Sequence, residues 1–300
     1  MTRFLSIGTL IAVFSVGTVS LAQAPARSDT LIWGGTSGGF TLRWTSVDIT
    51  ASPINDPSRI IFSAKQMARE KFAAFKKENL EDDAAWRCSF ELRFRLLSVV
   101  GSLLSYEEAE DAYCGRLNGV GWNHPSVQIS YRVIDLNQAS VPVSLAKFFS
   151  DALVLEALLG DSLVKAALKE AGNPSPKTPM DLVTAINAGT DIKPLRATAE
   201  APKGCGFLFP EHPFTEFAFH HIEKGQVAVR LSLVPSSGAC HSAHSQLGLL
   251  LPIPESLQPA LISAQSRAQG FLMTSSVQLS KGKVTTFSFE TKPSKEDRKR

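Results

Sequence analysis

The sequence predicts an α+β fold: a mainly antiparallel sheet with helices packed on one side and two disulfides. Three observations support this. Alternating, strand-like segments cluster at 87–136 and 204–251, while helical periodicity is concentrated between them at 144–187. That segregation suits α+β and not the strict alternation of a doubly wound sheet. Turn signals such as Glu223-Lys224-Gly225 punctuate the strand-like runs. The chain also holds four cysteines, an even number with no C-x-x-C pair.

In chain order, Leu31-Ile32-Trp33, the glycine-rich Gly34–Gly39 and Phe40–Thr45 read as strand, turn, strand, and Pro53 and Pro57 punctuate the loop that follows. Ser63 and Gln66 have capping-box spacing. Behind them Met67, Ala68, Phe72 and Phe75 recur at helical spacing, which predicts an amphipathic helix over 63–79. Arg87–Leu96 alternates as a half-buried strand does, an extended run leads through Tyr106 to Cys114, and Val127–Leu136 alternates again. Leu145, Phe148, Phe149, Ala152, Leu153, Leu155, Leu158 and Leu159 switch to the helical period. Asp161 caps a second helix that Gly172 and Pro174 end, and 181–187 forms a short third. Strands return at 214–221, 226–233 and 246–253. A final helix is expected from Pro254 to about residue 267, then a last hairpin of 272–279 and 284–289 around Gly282.

At 44% hydrophobic and 20% charged, with mean hydropathy +0.02, the composition is globular and excludes a disordered chain. A net charge of +3 over 300 residues gives no electrostatic footprint for nucleic acid. Arg3, the apolar stretch Phe4–Leu21 and Ala22-Gln23-Ala24 have the layout of a secretory signal peptide cleaved after Ala24; an uncleaved N-terminal anchor is the rival. The expected organisation is 1–24 signal peptide, 25–62 N-terminal strand hairpin and loop, 63–292 α+β domain and 293–300 a disordered charged tail. The expected location is periplasmic or secreted, with no membrane span after cleavage. In an oxidising compartment Cys88, Cys114, Cys205 and Cys240 allow three disulfide connectivities. The midpoint of the first two falls on Gly101, and that of the last two beside Glu223-Lys224-Gly225. Hairpins turning there favour Cys88–Cys114 and Cys205–Cys240.

Several groups could carry chemistry. Gly35-Thr36-Ser37-Gly38-Gly39 matches G-x-S-x-G, but a nucleophile elbow needs a following helix, and here a strand follows. Six histidines include His220-His221 and the Cys240-His241-Ser242-Ala243-His244 cluster. On a strand His220 and His221 point to opposite faces, so one of them at most joins a metal site, and no metal or other cofactor is expected. Glu107, Glu108, Glu110 and Asp111 form an acidic run beside Tyr106 and Tyr113. An acidic loop with aromatic neighbours would steer and anchor a basic partner.

Leu97–Gly101, Ser105-Tyr106-Glu107, Tyr113-Cys114-Gly115, His124-Pro125, Ile134-Asp135-Leu136 and Val143–Phe149 fall in one order. This order resembles the RsiV/PdaC-type extracytoplasmic domain family, largely of unknown function. Phe217–Val229 is similar to that family's hairpin with a Lys-Gly turn, and Leu249–Leu257 to its closing segment. The resemblance covers roughly 63–262. The family's Gly-Gly-Ala-His-Pro turn is expanded here to 115–125, and Asn137-Gln138 replaces its usual Thr-Gly. In some members the domain binds lysozyme as the ectodomain of an anti-sigma factor. In others it accompanies a peptidoglycan deacetylase domain. With three residues before the apolar stretch and no room for a separate catalytic domain, neither whole-protein role is expected. The resemblance implies a non-enzymatic domain that binds a lysozyme-like enzyme or another peptidoglycan-associated ligand. Tyr106, Glu107, Glu108 and Tyr113 are the expected contacts, with His124 in the family-like turn. An envelope hydrolase with an unrecognised active site, which replacement of His124 or Ser37 would test, and a structural envelope protein with no specific ligand are the alternatives.

Overall fold

A computed structural model describes residues 29–80, 86–116, 126–193, 205–236, 240, 245–274 and 283–291. The expected signal peptide, the charged tail, His124, His241, His244 and Gly282 lie outside them. The fold is α+β with antiparallel sheets, as expected. An N-terminal sheet runs in the order β1 (Leu31–Ser37), β2 (Phe40–Thr45), β3 (Ile49–Pro53), β4 (Phe62–Ser63). The central sheet is built on β5 (Trp86–Val100), β6 (Leu103–Arg116) and β7 (Ser126–Asp135). The third, C-terminal sheet sets β11 (Ser245–Pro252) and β10 (Gln226–Pro235) side by side, with β9 (Phe217–Glu223) and the short β8 (Phe207–Leu208) both on the far edge of β10.

Two segments differ from expectation. Residues 49–53 form a strand where a loop is predicted, because Pro53 closes the strand and Thr41–Phe40 of β2 lie opposite Ser52–Pro53. Of the expected last hairpin, residues 275–282 lie outside the described residues; its described ends, β12 (Phe271–Leu272) and β13 (Thr285–Glu290), are not paired with each other. Both pair with β5, β12 at Ser98–Val99 and β13 at Ser89–Phe94, end to end along one edge.

The helices are α1 (Ala64–Leu80), α2 (Asp151–Gly160), α3 (Ser162–Glu170), α4 (Pro179–Gly189) and α5 (Gln258–Gln265). Local chemistry starts them where the sequence indicates. Ser63 Oγ accepts from Gln66 N, Asp161 accepts from Leu163 N and Val164 N, and Thr178 with Asp181 completes a capping box. Helices α2–α5 fill a core against the inner leucines and phenylalanines of the C-terminal sheet. The helix α1 is separate from them: Ala64, Ala68 and Phe72 turn into a second core between the N-terminal sheet and β5.

Strand β5 separates the two halves. Phe90, Leu92, Phe94 and Leu96 alternate into the second core. Leu97 meets Tyr131 and Ala218 of the other half, and a register shift between Leu96 and Ser98 then changes the phase so that Val99 rejoins the second core. The N-terminal sheet is tied in by Trp44 Nε1, which donates to Thr285 Oγ1 at 3.1 Å, and by Thr285 Oγ1, which donates to Thr45 O at 2.7 Å.

Both expected disulfides are present, Cys88–Cys114 and Cys205–Cys240. Cys88 and Cys114 face each other in the β5–β6 ladder, whose turn is Gly101-Ser102. The second bridge has a different basis from the expected one. The Lys224-Gly225 turn joins β9 to β10, but Cys205 leads into β8, and it is the β8–β10 pair that the bridge secures. Disulfides persist in oxidising compartments, so the pair supports an extracytoplasmic location. Among the described residues no helix is long and apolar enough to cross a membrane.

The expected Gly34–Gly39 turn is shorter than read from sequence: Gly34–Ser37 pair with β2 as part of β1, and only Gly38-Gly39 turn, at a tip that meets the β5–β6 turn. Gly38 has φ +56°, and a Cβ there would lie 2.4 Å from the carbonyl carbon of Gly101. Gly39 has φ +87° but open space around it. Gly38→Ala is therefore expected to cost about 3 kcal/mol and Gly39→Ala about 1 kcal/mol, read as shifts in chemical-denaturation midpoints.

Candidate functional site

The expected contact residues lie on β6, in the middle of the central sheet and not on a loop. Strand geometry splits them. Side chains of consecutive residues leave opposite faces, so Tyr106 and Glu108 go one way while Glu107 and Tyr113 go the other. This corrects the acidic-loop reading: Tyr106, Glu107 and Glu108 are all buried.

On the α1 side, Glu108 forms an ion pair with Lys71, whose Nζ also lies 3.9 Å from Glu110 Oε2. Tyr106 packs between Phe62 and Phe94, its ring centroid 5.6 and 5.8 Å from theirs, and its hydroxyl donates to Met67 Sδ. Burial, reinforced by the Glu108 carboxylate, raises the Tyr106 pKa above the usual phenol range, so this phenol stays neutral. Burial likewise raises the Glu110 pKa, against the pull of Lys71.

On the opposite face Glu107 joins a polar layer between the central and C-terminal sheets. Arg95 Nη1 is 3.3 Å from its carboxylate, and the Tyr131 hydroxyl 3.4 Å. That hydroxyl has one hydrogen, and its shorter contact is with Gln246 Oε1 at 2.6 Å, which also accepts from Arg230 Nη1 at 2.9 Å. Burial raises the Tyr131 pKa too, with the Glu107 charge adding to it. Sequence reasoning missed Arg95, Tyr131, Arg230 and Gln246. Arg230 carries a legible signal, a cation inside the apolar run Val227–Leu233, since such a charge must find a partner on folding.

The two histidines beside this layer also depart from expectation. Phe219 faces Val229 and His221 faces Ala228, which leaves His220 as the extra residue of a bulge. Both side chains then reach the same place, with Nδ1 atoms 2.8 Å apart and rings nearly perpendicular. One Nδ1 donates and the other accepts. His221 Nε2 lies 3.5 Å from Glu223 Oε2. Burial first, then Arg230, His221 and Arg95, holds the His220 pKa down to about 2. The ring nitrogens are too close to straddle a zinc ion, which at bond lengths of about 2.0 Å keeps tetrahedral ligands about 3.3 Å apart. Among the described residues no group of three or more metal-ligating side chains is assembled. Ser37 is buried at the end of β1 with β2 directly after it, so it does not stand on a strand-to-helix elbow.

On the same side of the central sheet as Glu107, but further along, the face is half-exposed. Glu91 and Asp111 sit directly opposite each other, and Ser89 is opposite Tyr113. The Glu91 side chain is 42% exposed, has Arg93 Nε 3.5 Å away and accepts from Ser288 Oγ at 3.3 Å; Asp111 and Tyr113 are half-buried. Like charges in register across two strands weaken the pairing.

The Lys71–Glu108 pair, its carboxylate buried and its cation partly exposed, yields a test. Lys71→Met leaves Glu108 buried without its cation and is expected to cost about 3 kcal/mol, whereas the double change Lys71→Met with Glu108→Leu costs less than the single one. Urea denaturation of the three proteins at pH 7 measures this. No protein-family model, no curated protein and no solved structure matches this chain.

Proposed function

We propose that the chain is a non-enzymatic extracytoplasmic domain that binds a basic, lysozyme-like cell-wall enzyme, delivered by a signal peptide removed after Ala24. The observation that carries the reading is the half-exposed ribbon face of β5 and β6, where Glu91 and Asp111 face each other beside Tyr113. Opposed carboxylates cost the free protein stability, and a partner's cations would relieve that cost on binding. An aromatic ring next to them supplies the apolar anchor that charge alone does not. The two disulfides suit a domain working in an oxidising compartment, and the RsiV/PdaC-like motif order points to the same partner class. Of the contacts expected from sequence, Tyr113 stays on this face, while Glu107 and Glu108 are engaged inside the fold.

Binding of the oxidised protein to a panel of basic lysozymes tests the reading, with lytic activity measured in parallel. The expected result is micromolar or tighter binding that weakens with salt. Combining Glu91→Gln with Asp111→Asn should weaken it about tenfold and flatten the salt dependence. Asp111→Asn alone should raise stability by a few tenths of a kcal/mol, roughly the size of one cross-strand charge contact. Glu108→Gln should leave affinity unchanged. No binding to any lysozyme of the panel overturns the partner.

A further inference from the structure

The seam between the central and C-terminal sheets is held by a short set of polar contacts around His220. Phe219 N donates to Ser105 Oγ at 3.2 Å, Tyr131 N to Ser232 Oγ at 2.8 Å, and Met273 N to the His220 carbonyl at 3.0 Å. Into this seam the β9 bulge turns two imidazoles whose Nδ1 atoms share one hydrogen across 2.8 Å. His220 is 1% exposed.

The charges around the pair come from every strand packed there. Arg230 reaches in from β10 and Arg95 from β5. Glu107 of β6 already holds Arg95 at 3.3 Å, Tyr131 of β7 and Gln246 of β11 are neutral, and Glu223 of β9 lies beside His221 Nε2. A proton on His220 would put a third cation beside Arg230 and Arg95, with Glu107 as the carboxylate at that end.

We propose that the His220–His221 pair is an acid-release latch: at neutral pH it lets β9 lie against β5 and β6, and on acidification it parts the two sheets along this seam while the N-terminal core stays closed. The sign follows from proton linkage. An opened seam returns His220 to water and to an ordinary histidine pKa of about 6.5, far above its value in the closed form. The open state therefore binds one more proton at any pH between those values, and the opening constant grows about tenfold per pH unit as pH falls below about 6.

Hydrogen exchange on the full oxidised chain, followed by mass spectrometry from pH 7.5 to 4.5 and corrected for intrinsic rates, tests the latch. Peptides covering 217–223 should lose protection about tenfold per pH unit, while peptides covering 40–53 in the N-terminal sheet keep theirs. His220→Asn, whose amide can replace the Nδ1 contact without titrating, should flatten that pH dependence. Equal steepness in wild type and His220→Asn, joint loss of protection in both segments, or no loss at all overturns the proposal. Should the variant not fold, the imidazole nitrogen shifts of the wild type decide. His220 neutral in the closed form at pH 5 supports the latch, and His220 charged in the closed form overturns it.

Discussion

Strand β5 is buried on both faces from Leu96 to Val100, and a strand has a single two-residue period with which to serve both. Phe90, Leu92, Phe94 and Leu96 commit one face to the aromatic core shared with α1 and the N-terminal sheet. The other face must then take Arg95 and Leu97 toward the C-terminal sheet. The register shift at Leu96–Ser98 reconciles the two demands, since without it Val99 would leave the core that it now shares with Leu104 and Phe271. Strand β6 inherits the same division through fourteen residues of pairing, which is why Glu107 and Glu108 belong to different environments.

Those two carboxylates also guard the register. A slip of one residue would carry Glu108 into the seam between the sheets and Glu107 under α1, each away from its cation. Taking the charges out of water is costly, and the pairs need not add net stability. What they add is a penalty on the misaligned ribbon, at the place where purely apolar alternation would tolerate an error worst. The Cys88–Cys114 bridge reinforces the same alignment at the far end of the ladder.

Much of the fold was legible because its signals are local. The Gly101 turn, the Lys224-Gly225 turn, the Asp161 cap and the long alternations each depend on a few neighbouring residues. Tertiary pairing was less legible. Nothing near Cys205 indicates that β8, and not β9, closes the second disulfide loop, and nothing near Phe271 shows that it joins β5 and not Thr285. The candidate site was read least well, for a specific reason in each case. An acidic run looks solvated until its register shows it to be in mid-sheet, and Arg95 and Gln246 become meaningful only when a second sheet arrives. His220 and His221 defeat the alternation rule because the bulge there depends on the partner strand.

The hydrogen bonds that join Trp44 and Thr45 to Thr285 close a loop of about 240 residues. Each disulfide, by contrast, links residues 26 or 35 positions apart. Oxidation can therefore proceed hairpin by hairpin while the chain is still incomplete, but the N-terminal sheet gains its hydrogen bonds to Thr285 only when nearly the last strand exists. A nascent chain holds Trp33 and Trp44 without their Phe271 partner until late in synthesis, while Phe90 and Phe94 of β5 already have α1 and Tyr106 to pack on. The pairing of β13 with Trp44 and Thr45 is thus among the least local contacts of the fold, the kind whose loop closure is slow.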